Sequence, residues 1–184
     1  MFVSKPAGER ILLTEAEERH CKEIALKRHH LNQDRGYQPH RKFDGYTDSQ
    51  IHILGIVGEY VTRRVLGMGG FDSFDFDGPD KRGDILLPNG EWVEVKTGRK
   101  PRYNFLIEEP DWERLFLAEY GALVWKMPTP GHYSCVGWCS RSEFAEYKEW
   151  GSHLPKPCWL LPWERFHAID ELKSRWVPVQ QTLW

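Results

Sequence analysis

The spacing of apolar and polar residues changes near Gly69-Gly70, separating a helical first third from a largely extended remainder. Thr14-x-x-Glu17 is a capping-box signature, and Ile24, Leu26 and Leu31 follow in a charged, helix-favouring segment, predicting a first helix over about 15–30. Asn32 to Tyr46 sets Gly36, Pro39 and Gly45 among polar residues and predicts a loop. Ile53, Ile56, Val57, Val61 and Leu66 then recur at helical spacing. They predict a second helix from about Asp48 to Leu66, started by Thr47 or Asp48 and stopped by Gly67. Gly55 and Gly58 lower its helix propensity, so a close neighbour is expected there. Beyond the change, Phe74 and Phe76 alternate with acids, and Ile85–Leu87 and Trp92–Lys96 flank Pro88-Asn89-Gly90, a hairpin signal. A strand at Tyr103–Ile107, a helix at Pro110–Tyr120 and strands near Ala122–Lys126 and Tyr133–Cys139 follow. Ser140 is then expected to cap a helix through about Trp150, and Pro162–Lys173 offers one short helical candidate. Helix, three strands, helix and strands again predict an α/β domain around a mixed sheet.

Composition adds bounds. The 184 residues, 40% hydrophobic with nine Trp, nine Phe and seven Tyr, suffice for one domain with its own core and are short for two. No run of about 18 apolar residues offers a bilayer span, and Met1 to Arg10 lacks a signal-like apolar stretch. A cytoplasmic address is the expectation. Cys21, Cys135, Cys139 and Cys158 form no C-x-x-C pair, so reduced, mostly buried thiols are expected rather than zinc or redox chemistry. A net charge of −2 is neutral on nucleic acid. Positive charge is nevertheless clustered at Lys81-Arg82, Arg99-Lys100-x-Arg102, Arg63-Arg64 and His40-Arg41-Lys42, each also readable as a solvated face.

The hairpin register decides which side chains meet. A two-residue Asn-Gly loop sets Asp84 opposite Val95, an acid on a greasy face. A three-residue loop with Gly90 left-handed pairs Leu87 with Glu91 and sets Asp84 opposite Glu94, with Ile85, Leu87, Val93 and Val95 as one core stripe. A one-residue slip inverts every side chain, so the apolar pattern selects the second register. Asp84, Glu94 and Lys96 then share one side of the sheet. Facing carboxylates repel unless a cation or a lysine lies between them. Magnesium takes one or two protein carboxylates and completes its shell with water and substrate phosphate. Asp84 and Glu94 meet that demand, with the Val95 carbonyl in reach, and Lys96 would project toward the same phosphate. Alone, the hairpin reads more readily as an exposed face with an ordinary acid and a Glu-x-Lys pair.

Taken together, Gly58-Glu59 in a helix, Gly83-Asp84 opening a strand and Glu94-Val95-Lys96 closing the hairpin resemble the PD-(D/E)XK nuclease superfamily, over about Ile51 to Ile107. In that resemblance Glu59 matches the helix glutamate, Asp84 the first-strand aspartate, Glu94 the acid of the tripeptide and Lys96 its lysine. It implies a restriction-endonuclease-like α-β-β-β-α-β core with a mixed central sheet flanked by helices, magnesium or manganese, and phosphodiester hydrolysis of nucleic acid, with DNA the expected substrate. The metal set would be Asp84, Glu94, Val95 and Glu59. Lys81, Arg82, Arg99, Lys100 and Arg102 would contact nucleic acid. The literal Pro79-Asp80 precedes the strand in a Gly-rich turn, so the role goes to Asp84, with Asp80 the weaker alternative. No repeat or linker divides the chain, which reads as one domain over 1–184. Residues 1–46 form an N-terminal helix and loop, 47–150 the nuclease core, and 151–184 an irregular Trp/Pro-rich C-terminal extension.

Other constellations are weaker. Asp72, Asp75, Asp77 and Asp80 lack EF-hand spacing. His29-His30 with Asn32 sits at a helix end with no hairpin beside it, and no P-loop, Rossmann or Ser-His-Asp signature occurs. The end of the chain, Gln180-Gln181-Thr182-Leu183-Trp184, resembles the short peptide by which bacterial DNA-processing proteins dock on the sliding clamp. The plainer reading folds Leu183 and Trp184 back onto the domain.

Overall fold

A computed structural model describes residues 8–34, 47–69, 82–107, 112–152, 154 and 157–176. Two antiparallel helices open it. α1 (Glu15–Asp34) starts at the expected capping box, with the Glu17 carboxylate accepting from the Thr14 N–H at 2.7 Å, and acids Glu15, Glu17 and Glu18 in its first turn. α2 (Asp48–Val65) starts at a second capping box, Thr47 with Gln50, and ends before Gly67, whose φ of 72° suits glycine. Glu17 meets Arg64 at 2.9 Å near one end of the pair, and the His29 and His52 rings lie 5.0 Å apart near the other. The stripe of α1 facing α2 is Cys21, Ile24 and Ala25; the expected Leu31 is 40% exposed.

The central sheet has strand order β1-β6-β5-β3-β2, formed by β1 (Glu9–Leu12), β2 (Ile85–Leu86), β3 (Trp92–Gly98), β5 (Tyr120–Lys126) and β6 (His132–Ser140). Only β3 and β5 run parallel, as their long connection requires. That connection carries β4 (Phe105–Ile107) and the short α3 (Trp112–Leu115). One sheet face, with Val93, Val95, Ala122 and Val124, packs under α1, α2 and α5 (Ile169–Ser174). The other face, with Leu123 and Trp125, packs against Phe105, Phe116, Phe144, Leu161 and Phe166. This alternation follows from the period of two along each strand.

Several expectations change. β4 leaves the central sheet and pairs with β8 (Trp159–Leu161), which pairs in turn with β7 (Glu149–Trp150). Over its described residues the C-terminal stretch is therefore not irregular. β8 and a 3-10 turn at Trp163–Arg165 complete the second core through Leu161 and Phe166, and α5 adds Ile169 and Leu172 to the first, partners that sequence periodicity does not reveal. The helix expected over Pro110–Tyr120 shrinks to α3, since Tyr120 already belongs to β5. The helix after Ser140 is α4 (Arg141–Tyr147), fixed by a Ser140–Glu143 capping box and ended before β7. β1, unforeseen, pairs with the outer edge of β6. All four cysteines are buried free thiols. Among the described residues no helix is long and apolar enough to cross a membrane.

Candidate active site at the open end of the hairpin

The β2–β3 hairpin adopts the three-residue loop. Leu86 faces Trp92 and Ile85 faces Val93. The Leu87 N–H donates to the Glu91 carbonyl at 2.8 Å, and Gly90 takes φ 88°. Ile85, Leu87, Val93 and Val95 are all buried, which is the apolar stripe that selects this register. Tyr120 Oη donates to Glu91 at 2.9 Å, and Glu119 accepts from the Trp92 N–H at 2.7 Å, clamping the hairpin to β5.

Regular pairing stops at Asp84. Its N–H donates to the Val93 carbonyl at 2.9 Å, while its carboxylate accepts from the Val95 N–H at 2.7 Å. A strand residue's N–H and C=O point to the same edge, so the Val95 carbonyl lies on the edge that Asp84 occupies. Asp84 thus lies beside β3 at Val93–Val95, close enough to Glu94 for the two charges to interact. Glu94 and Lys96 project from the sheet face opposite α2 and bind each other, Lys96 Nζ to Glu94 Oε1 at 2.5 Å. Glu59 arrives from α2, on the other face, close enough for its charge to act on Asp84. Its approach depends on Gly58, where a Cβ would stand 1.8 Å from Thr97 Oγ1, so the helix lies directly on β3. Gly55 has no described atom within 4 Å of its Cβ position, so the close neighbour expected at both glycines exists at one.

Electrostatics bind the three acids into one unit. Burial pushes the Asp84 carboxyl well above the usual carboxylate range, and the charges of Glu94 and then Glu59 push the same way. Lys96 and the Val95 N–H offset this only in part. Glu59 Oε1 accepts from Arg28 Nη1 of α1 at 2.8 Å, and the Glu59 charge also supports that of Arg63, one turn further along α2. Burial works against the Arg28 charge, but Glu59, then Asp84, and further Glu94 outweigh it and hold its pKa up. Arg28 is thus a member of the cluster that motif reasoning missed. The available signal was its place at i+7 from Cys21 on the buried stripe Cys21, Ile24, Ala25.

The residues expected to touch nucleic acid separate. Arg82 is exposed, and Lys81 lies outside the described residues, as do Asp80, the other acids of the 72–80 segment and Gln180–Trp184. Arg99 and Lys100, just beyond β3, stand 5.9 and 5.7 Å from the Tyr103 ring centre. Arg99 also donates to Tyr103 Oη at 3.3 Å. Arg102 is exposed and holds φ 66°, a left-handed conformation costly for a side-chain-bearing residue.

Among the described residues no three His, Cys, Asp or Glu side chains stand ready-arranged around a metal position. The donor set nevertheless suits a hard cation. Three carboxylates and a carbonyl edge are oxygen donors, and a divalent ion would offset both the burial that chiefly raises the Asp84 carboxyl and the charges of Glu94 and Glu59 that add to it. Each acid would have to turn from the donor it now has. No protein-family model matches the chain, and neither a curated protein nor a solved structure matches it.

Proposed function

We propose that the chain is a divalent-metal-dependent nuclease, built on a restriction-endonuclease-like core, that hydrolyses phosphodiester bonds of nucleic acid, DNA foremost. The observation that carries this reading is the coupling of buried Asp84 to the charges of Glu94, Glu59 and Lys96, with Lys96 paired to Glu94. Magnesium or manganese would be held by Asp84 and Glu94, with Glu59 and the Val95 carbonyl completing the protein's share. Bound there, it would polarise a phosphoryl oxygen and acidify a water. Asp84 must give up its proton to serve, so cation and proton compete at its carboxyl. Lys96, now paired with Glu94, would be released toward the scissile phosphate were that acid to hold a cation. There it orients the attacking water and offsets charge gathering on phosphorus, a contribution whose removal costs about 100- to 1000-fold in turnover. Arg99, Lys100 and Arg102, carried past the site by the end of β3, hold the nucleic-acid backbone.

A second reading, a nuclease-fold module that binds nucleic acid or a DNA-processing partner without cutting, draws on the internal donor that each acid already has. One experiment separates the two. Labelled single-stranded, duplex and branched DNA, and RNA, are incubated with wild-type protein and Asp84→Asn in magnesium, manganese or EDTA. Cation-dependent cleavage by wild type alone supports the nuclease. Cleavage in EDTA, or undiminished cleavage by the variant, removes it, and tight binding with no cleavage by either protein favours the second reading.

A further inference from the structure

Arg28 occupies a position that helix packing alone does not explain. Counting from Cys21, it falls on the stripe that α1 buries against α2, where Ile24 and Ala25 are fully packed. A guanidinium on such a stripe needs a specific partner, and it has one in Glu59, at 2.8 Å. Yet the Arg28 side chain keeps 40% of its surface exposed while that of Glu59 keeps 9%. One end of the pair is sealed in the protein and the other opens outward beside Asp84 and Glu94.

Resting on the nuclease reading above, we propose that Arg28 is a phosphate-positioning residue that holds Glu59 while the cation site is unfilled and turns to a substrate phosphate when a divalent cation engages Glu59. The charges favour such an exchange. Arg28 and a divalent cation compete for one carboxylate, and both cannot sit on it without repelling each other. Once displaced, the guanidinium stands next to the scissile position with its planar fork unoccupied, a shape suited to two phosphate oxygens at once. His52, packed against His29, does not take over the task. Burial first, and then His29 and Arg28, disfavour its imidazolium, so the positive charge here rests on arginines, Arg28 and, from α2, Arg63. The cation reports on the substrate side of the exchange as well: an arginine freed by metal binding makes nucleic-acid affinity depend on metal even where no bond is cut.

The proposal gives Arg28→Gln two effects of opposite sign. Removing the competitor should tighten Mn²⁺ binding, read by calorimetry on the full chain, by about two- to fivefold, the scale of a half-exposed ion pair. Removing the fork should weaken binding of a labelled duplex oligonucleotide in saturating Ca²⁺, where cutting is suppressed, by about ten- to a hundredfold. Arg28→Lys, which keeps the charge and the fold, should recover the metal affinity of wild type but only part of the DNA affinity. Weaker Mn²⁺ binding in Arg28→Gln, or unchanged DNA affinity in both variants with wild-type melting curves, would make Arg28 a structural counter-ion and end the proposal. If wild-type protein itself binds no Mn²⁺ and cuts nothing, the nuclease reading falls and takes this role with it. A wild type that binds metal and cuts, with variants that match it, removes the role of Arg28 alone.

Discussion

Alanine at Gly58 and alanine at Gly55 act on the same helix with opposite expected signs. Each substitution gains about 1 kcal/mol of helix propensity. At Gly55 no described atom lies within 4 Å of the new methyl group, so the variant should be more stable by about 0.5–1 kcal/mol. At Gly58 the methyl carbon would stand 1.8 Å from Thr97 Oγ1, 3.1 Å from Thr97 Cβ and 3.4 Å from Val95 Cγ1. Turning Thr97 about χ1 removes the oxygen but swings its methyl group into the same space, because threonine is β-branched. Overpacking of this kind costs about 1–3 kcal/mol, so the net loss is up to about 2 kcal/mol. α2 relieves the clash by lifting from β3, which draws Glu59 away from Asp84. Thr97→Ala supplies the control. The Thr97 hydroxyl is buried with no hydrogen-bond partner among the described residues, so its removal should cost little. Combined with Gly58→Ala it should restore about 1–2 kcal/mol. Urea denaturation of the metal-free protein reads all four variants, and in thermal melts each kcal/mol corresponds to about 2–4 °C for a chain of this size. Equal stability of Gly58→Ala and Gly55→Ala, or a double variant no better than the sum of its parts, would refute the close approach of α2 to the sheet.

Glu17→Gln should destabilise at neutral pH and not in acid. Burial opposes the Glu17 charge, but Tyr60 Oη at 2.6 Å, the Thr14 cap and Arg64 overcome it and lower the pKa. A depressed carboxyl stabilises above its unfolded value and loses that contribution as pH falls through its folded value, so the gap to wild type in thermal melts should close below about pH 4; a constant gap would count against the ion pair. Lys96→Ala should lower kcat far more than it changes KM or DNA affinity, and a rise in KM alone in steady-state assays would make the lysine a docking residue. Neutralising Arg99, Lys100 and Arg102 together should reduce the slope of log affinity against log salt by about 3 on duplex DNA, and an unchanged slope in a salt titration would place the backbone contact elsewhere.

Short-range order was legible in the chain because its causes are short-range. The capping box at Thr14, the helix start at Thr47, the stop at Gly67 and the cap at Ser140 each depend on residues within one helical turn, and all appear in place. The hairpin register was legible for a similar reason. Only one loop length puts Ile85, Leu87, Val93 and Val95 on a common face, and burial enforces that choice. Asp84, Glu94 and Lys96 were therefore placed by the same local pattern that built the hairpin.

What lies between elements distant in sequence was decided by packing. β4 has the composition of a central strand, but the β3–β5 parallel pair takes the position beside β3, and β4 goes to β8. The Trp- and Pro-rich C-terminal stretch looks irregular because its partners, β4 and the face of β5, lie far back in the chain. Gly55 and Gly58 are identical in sequence terms, yet only the seating of α2 on Thr97 makes one of them necessary. Arg28 carries no motif and joins the acidic cluster solely because α1 crosses α2 at Glu59. The sequence by itself determined helix starts, strand faces and the carboxylates of the hairpin, since each depends on neighbours within a few residues. Which sheet a strand enters and which arginine of α1 meets Glu59 were decided by tertiary structure, since both follow from apolar surfaces and opposite charges that approach each other only after the chain has folded.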